Sequence, residues 1–121
     1  MRAVFDTNIL VDIIQGVPEA REELRRYRDP SASVVTWIEL MVGARAINDE
    51  EPARRLLNRL DIRPLTPEVA EQATTVRLVT RLKLPDAVIW ATARAMNCVL
   101  VTRNTRDFPA GDPMIRVPYT L

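Results

Sequence analysis

Histidine is absent from this chain of 121 residues, cysteine and lysine occur once each, and glycine only three times. Without imidazole there is no Ser-His-Asp or Cys-His triad, no histidine acid–base catalysis and no histidine-containing zinc motif. Any catalyst built here must draw on carboxylates, hydroxyls, amides, arginine or lysine. The lone Cys98 excludes an intramolecular disulfide, and its setting in Cys98-Val99-Leu100-Val101 is that of a buried strand residue rather than a reactive thiol. Lys83 being the only lysine, positive charge is carried almost wholly by arginine, whose planar fork suits bidentate contact with phosphate or carboxylate. No apolar run is long enough to span a bilayer, and residues 1–5 pass straight into Asp6 without a signal peptide. A cytoplasmic protein with no membrane partner is therefore expected. Repeats, low-complexity tracts, linkers and charge blocks are also missing.

What remains is a chain with 47% hydrophobic residues and a formal net charge of +1, enough apolar mass for one domain over residues 1–121. So small a net charge is not the global signature of a nucleic-acid binder; such a partner would be held by a local patch. The apolar period alternates between strand-like and helical. Ala3-Val4-Phe5 reads as a buried strand, followed by helices over residues 8–15 and 19–27, the second opened by Pro18 after Gly16 ends the first. Asp29-Pro30 is expected to be a turn, and Ala32-Ser33-Val34-Val35 a second strand. Helices over 36–47 and 50–60 precede a short strand at Ile62-Arg63-Pro64-Leu65, where proline argues for a sheet edge. Helices over 67–82 and 85–97 lead to a fourth strand, Val99 to Thr102, and an edge strand at Ile115-Arg116-Val117. Strands alternating with helices imply an α/β fold whose mostly parallel sheet carries its site at the strands' carboxyl ends, where strand order reverses.

Four acids, Asp6, Glu39, Asp86 and Asp107, fall near strand ends or helix starts, which in such a fold share one edge. Each has an ordinary structural explanation as well. Asp6-Thr7-Asn8 resembles a helix cap, but three capping residues exceed what one cap needs. Thr36-Trp37-Ile38-Glu39 has the form of a capping box. Glu39 is also the only charge between Pro30 and Arg45, which points to a buried and compensated position. Asp86 follows Pro85 in the first turn of an apolar helix, where the macrodipole favours an acid. Asp107 lies in the polar stretch Thr102-Arg103-Asn104-Thr105-Arg106-Asp107, where Asn104 or Asp107 can make an Asx-turn. Arg103 and Arg106 can steer a phosphate backbone or pair with neighbouring acids. Converging carboxylates repel one another unless a cation lies between them. Mg²⁺ and Mn²⁺ prefer such hard oxygen ligands, and activate water and neutralise phosphoryl charge. The helix from Trp37 to Ile47 carries more apolar surface than one core-facing stripe needs, so it is either fully buried or an association surface.

Together, Val4-Phe5-Asp6-Thr7-Asn8, the lone Glu39, Leu84-Pro85-Asp86-Ala87 with Ile89-Trp90-Ala91-Thr92-Ala93, and the segment from Leu100 to Phe108 resemble PIN-domain ribonucleases. Among these the chain is most similar to the VapC-type toxins of bacterial toxin–antitoxin pairs, and the resemblance covers essentially all of it. It implies a PIN-like three-layer fold, a mostly parallel five-stranded sheet flanked by helices, and endonucleolytic cleavage of RNA with Mg²⁺ or Mn²⁺. Asp6, Glu39 and Asp86 match the family's acidic triad, Asp6 and Asp86 being the main metal anchors. Asp107 matches a fourth, more variable acid, with Asn104 the alternative occupant of that position. Thr102 matches a hydroxyl at the end of the fourth strand, and with Asn8 it would orient ligands. The resemblance also implies a homodimer and a cognate antitoxin that occludes the acid pocket. Rival readings are a DNA or flap-type nuclease of the same fold and a non-catalytic regulatory or interaction domain. A receiver domain would need an acidic pair and a late lysine, and a haloacid dehalogenase-type phosphatase a second Asp where Asn8 stands.

Overall fold

A computed structural model describes residues 2–121. The elements run β1 (Arg2–Phe5), α1 (Thr7–Ile14), α2 (Pro18–Arg25), β2 (Asp29–Ser33), α3 (Val34–Ala46), α4 (Glu51–Leu57), β3 (Asp61–Arg63), α5 (Pro67–Val79), α6 (Leu84–Ala95), β4 (Val99–Val101) and β5 (Ile115–Arg116). All four strand pairings are parallel, and the sheet order is β3-β2-β1-β4-β5. β1 is thus central, and strand order reverses between β1 and β4. The expected α/β class holds, and both proline- or end-marked strands, β3 and β5, lie at edges.

Period-two alternation divides the sheet between two cores. Ala3, Phe5 and Val101 point toward α1, α2, α3 and α4, joining Ile9, Leu10, Leu24 and Leu56. Val4 and Leu100 point the other way, onto Val76, Ile89, Trp90 and Met96 of the α5–α6 side. One-residue steps along β1 and β4 therefore reach opposite layers, which fixes their register and with it the height of whatever follows each strand. Phe5 meets Tyr27 edge-on, with ring centroids 5.6 Å apart. Cys98 is buried beside β4, and burial pushes its thiol pKa up, keeping it protonated. No helix among the described residues is long and apolar enough to cross a membrane.

Two local expectations are corrected, and one open alternative is decided. Asp29-Pro30 opens β2 instead of turning: Pro30 pairs with Ala3 on one side, while the β3 partnership begins only at Ser31, so the missing N–H costs no ladder bond there. Val34 and Val35 are helical rather than extended, because Ser33 is the cap, its Oγ accepting from the Val35 N–H at 3.1 Å. Thr36 is consequently buried inside the first turn and no capping box forms. Finally, α3 is not fully buried. Leu40, Met41 and Ala44 face the core, but Ile38, Val42 and Ile47 are exposed, Val42 at 64%.

The packing has a direct stability test. Leu100→Ala, deleting a side chain with no exposure, should lower the unfolding free energy by about 2–5 kcal/mol in denaturant titration. Leu78→Ala, on the exposed side of α5, should stay within about 0.5 kcal/mol.

Candidate active site

β1 and β4 lie side by side, and the Asp6 N–H continues their ladder by donating to the Val101 carbonyl at 2.9 Å. Asp6 is thereby set at the centre of the carboxyl edge, only 4% exposed. It also caps α1, with Oδ1 accepting from the Thr7 N–H at 2.8 Å. Its Oδ2 accepts from the Thr102 hydroxyl at 2.7 Å and from Asn8 Nδ2 at 3.2 Å. A carboxylate offers about four lone-pair positions, and three are used, leaving one on Oδ1 for a ligand.

The other acids reach the same edge by different routes. Asp86 stands in the first turn of α6, half-buried, where no side chain caps the helix. Glu39 is one turn deeper into α3 than a cap position and, against expectation, exposed; it accepts from the Thr7 hydroxyl at 2.6 Å, which ties α3 to α1. Its isolation among apolar residues reflects the buried sides of α3, with Glu39 at the rim. Asp107 lies six residues past β4, in a loop seated by Phe108, which packs edge-on against Trp90 of α6 with centroids 5.8 Å apart. Asn104 and Asp107 bond reciprocally: Asn104 Nδ2 donates to Asp107 Oδ2 at 3.0 Å, and the Asp107 N–H donates to Asn104 Oδ1 at 3.2 Å. Asn104 thus props the exposed Asp107 carboxylate, and its own N–H donates to Thr102 Oγ1 at 3.0 Å.

Asp6 and Asp86 feel the charges of neighbouring acids. Burial raises the Asp6 pKa from 3.8 to about 6, opposed by the Thr102 and Thr7 hydrogen bonds and reinforced by the charges of Asp86 and Glu39. The Asp86 pKa is raised by burial, then by Glu39 and Asp107, with Lys83 working against the rise. Among the described residues no three acids or thiols already stand close enough to hold an ion together. Mg²⁺ and Mn²⁺, which keep several waters, need only one or two direct carboxylates. The donor set, all oxygen and rich in unneutralised charge, fits such an ion.

The arginines divide. Arg106 is exposed on the β4–β5 connection. Arg103 forms a bidentate pair with Asp12, through Nε at 2.8 Å and an Nη at 2.9 Å, the Tyr119 hydroxyl adding a third bond at 2.7 Å. Of the two partners that the sequence leaves open to Arg103, phosphate and a neighbouring acid, it takes an acid. No motif marks Asp12 or Tyr119, and Thr7 is marked only as a capping residue. Asp12 carried a usable signal, being the lone charge in Ile9-Leu10-Val11-Asp12-Ile13-Ile14. The inference of a buried, compensated acid drawn for Glu39 applies to Asp12 instead.

An all-parallel sheet of this order, with acids gathered along the carboxyl edge around its switch point, defines a class of α/β proteins whose site lies at that edge. The PIN-domain family model matches residues 3–112, and the chain belongs to the PIN-domain family. It is similar to a chain of a toxin–antitoxin complex from Klebsiella pneumoniae, at 41% identity and a TM-score of 0.91 over 98% of this chain and 99% of that one. It is also similar to a chain of DNA-bound VapBC from Salmonella typhimurium, at 25% identity and a TM-score of 0.74 over 96% of both. VapBC2 from Rickettsia felis, bound to a promoter DNA fragment, shares the fold at 21% identity and a TM-score of 0.82 over 95% of this chain and 96% of that one. Comparison with curated protein sequences finds no match.

The raised Asp6 pKa predicts a pH dependence. A folded-state pKa above the unfolded value favours folding at low pH, and that contribution is lost as pH rises from 3.8 to about 6. Without divalent ions, the stability of Asp6→Asn relative to the parent should therefore grow by roughly 3 kcal/mol across that window and then level off. Parallel denaturant titrations at a series of pH values check this.

Proposed function

We propose that this PIN-domain protein is the toxin of a VapC-type toxin–antitoxin pair, a metal-dependent endoribonuclease acting in the cytoplasm. The observation that carries the reading is the buried Asp6 carboxylate at the β1–β4 switch point, its pKa raised partly by the charges of Asp86 and Glu39. On this reading Asp6 and Asp86 hold Mg²⁺ or Mn²⁺ directly or through water, and Glu39 and Asp107 complete the acidic pocket. When bound, the ion supplies Lewis-acid activation of water and neutralisation of phosphoryl charge. The chain's own groups do the positioning. Thr102 and Asn8 orient Asp6, Thr7 orients Glu39, and Asn104 orients Asp107. Arg106, exposed on the loop beside Asp107, would meet the RNA backbone. The products would carry 5′-phosphate and 3′-hydroxyl ends.

Partner binding has support of its own. Ile38, Val42 and Ile47 give α3 an apolar outer face suited to a second copy of the chain. A groove of about 310 Å³, lined by Ile14, Leu40, Ala44, Ile47 and Ala53, runs between α1, α3 and α4 to Glu39. An antitoxin segment lying there would reach the acid pocket, in keeping with the Klebsiella pneumoniae relative being a toxin–antitoxin complex.

Purified protein given matched RNA and DNA oligonucleotides with Mn²⁺ should cut the RNA, and excess EDTA should stop it. Asp6→Asn and Asp86→Asn should each lose more than the roughly 10–100-fold that removing an outer partner costs. Cleavage that survives EDTA, or is undiminished in Asp6→Asn, refutes the mechanism; cleavage of the DNA alone moves the assignment to a DNA nuclease of this fold.

A further inference from the structure

Asp12 lies one turn after Asn8 on α1 and is only 3% exposed. Burial by itself would raise its pKa, but the hydrogen bonds from Arg103 and Tyr119 and the Arg103 charge outweigh it and hold it below the usual value. The buried carboxylate is thus ionised and locked to Arg103, the second residue beyond β4. The Arg103 backbone N–H in turn donates to Asn8 Oδ1 at 3.2 Å. A closed ring results: Asn8, the Arg103 main chain, the Arg103 guanidinium, Asp12, and one turn of α1 back to Asn8.

The ring decides which way the Asn8 amide faces. An N–H can only donate, so Arg103 selects the amide oxygen. The amide nitrogen is left toward Asp6 Oδ2 at 3.2 Å and Thr102 Oγ1 at 3.4 Å. A flipped amide would set its oxygen against the carboxylate, turning an attraction into a repulsion. Tyr119 supplies the third bond to Asp12 and lies outside residues 3–112, so the family match says nothing of it.

We propose that Asp12, Arg103 and Tyr119 are positioning residues that fix the Asn8 amide, and through it aim the Asp6 carboxylate at the cation. The inference rests on the metal-dependent reading above and assigns the chain's C-terminal segment a part in it. It also removes the Arg103 side chain from substrate contact, leaving Arg106 for that role.

The fold contains a matched control. Glu23 of α2 is equally buried, is gripped through Nε and an Nη by Arg116 of β5, and accepts from the Tyr27 hydroxyl at 3.0 Å. This second triad has the same chemistry but reaches the site through the β5 main chain, where the Arg116 carbonyl accepts from the Thr102 N–H at 3.0 Å, and through the ring of Tyr27 against Phe5, a contact that Tyr27→Phe keeps. Tyr27→Phe and Tyr119→Phe each delete one hydroxyl–carboxylate bond and keep the ring.

The experiment uses the full chain and two readouts: the Asn8 side-chain amide resonances in metal-free protein, and the Mn²⁺ dissociation constant from calorimetry. Tyr119→Phe should shift the Asn8 amide signals and weaken Mn²⁺ binding about tenfold, Asp12→Asn more so, within the roughly 10–100-fold range for an outer partner. At saturating Mn²⁺, Tyr119→Phe should recover most of its kcat. Tyr27→Phe should lower thermal stability comparably yet leave both readouts at wild-type values. Equal behaviour of the two Phe variants, or Mn²⁺ affinity unchanged in Tyr119→Phe, would overturn the inference while leaving the functional reading intact. Absence of Mn²⁺ binding in the wild type would overturn the functional reading and this role together. Should Asp12→Asn fail to fold, the two Phe variants still decide.

Discussion

The buried carboxylate of Asp6 is the constraint to which the rest of the structure answers. Taking an acid out of water costs several kcal/mol unless donors replace the lost hydration. Here the donors come from three places: the first turn of α1, the side chain of Asn8, and Thr102 at the far end of β4. Asn8 and Thr102 are 94 residues apart. They meet only because β4 lies parallel beside β1 in a register that brings Val101 opposite Phe5. The two cores on either side of the sheet enforce that register, so a slip of one residue would misplace the hydroxyl and send Leu100 and Val101 into the wrong layers. Packing far from the site therefore holds its geometry.

The large-scale order was legible in the sequence because parallel α/β folds leave two strong marks. Strands buried on both faces give short continuous apolar runs, and prolines or acids open the helices between them. Those marks placed Asp6 and Asp86 correctly, each directly after a strand or at a helix's first turn. They failed where one chemical pattern has two structural meanings. Val34-Val35 looked extended because β-branched residues favour strands, yet Ser33 can cap and Val34 can begin a helix as soon as the chain turns away from β2. Pro30 looked like a turn because proline cannot complete a ladder, but at the start of β2 one side of the ladder has no partner to lose. Glu39 and Asp12 show the same ambiguity for charge. Each stands alone among apolar residues, and which is buried depends on where the two helices cross, a tertiary fact with no local trace.

Arginine usage shows why net charge says so little here. Arg103 and Arg116 are spent on the buried Asp12 and Glu23, and Arg54 and Arg55 pair along α4 with Glu50 and Glu51. Arg2 and Arg77 donate to backbone carbonyls. The guanidinium fork that suits phosphate serves mostly internal acids and carbonyls. A formal charge of +1 conceals an acidic edge and a set of arginines committed to internal acids and carbonyls.

That distribution has a consequence for any polyanion approaching the carboxyl edge. Glu39 and Asp107 are exposed at the rim of a pocket where Asp6 and Asp86 already repel their neighbours. On the proposed reading RNA would meet repulsion there until a dication offset it, since among the described residues Lys83 is the one cation that acts on Asp86 against the charges of Glu39 and Asp107. Cation and RNA phosphate would then be thermodynamically linked, each raising the affinity of the other by the same factor. Tight binding of RNA without the ion would require a basic surface near the acids, and the commitment of Arg103 to Asp12 withdraws one of the two arginines on the loop that carries Asp107. On the proposed reading, selectivity for a correctly loaded site is built into the charge pattern and needs no moving part.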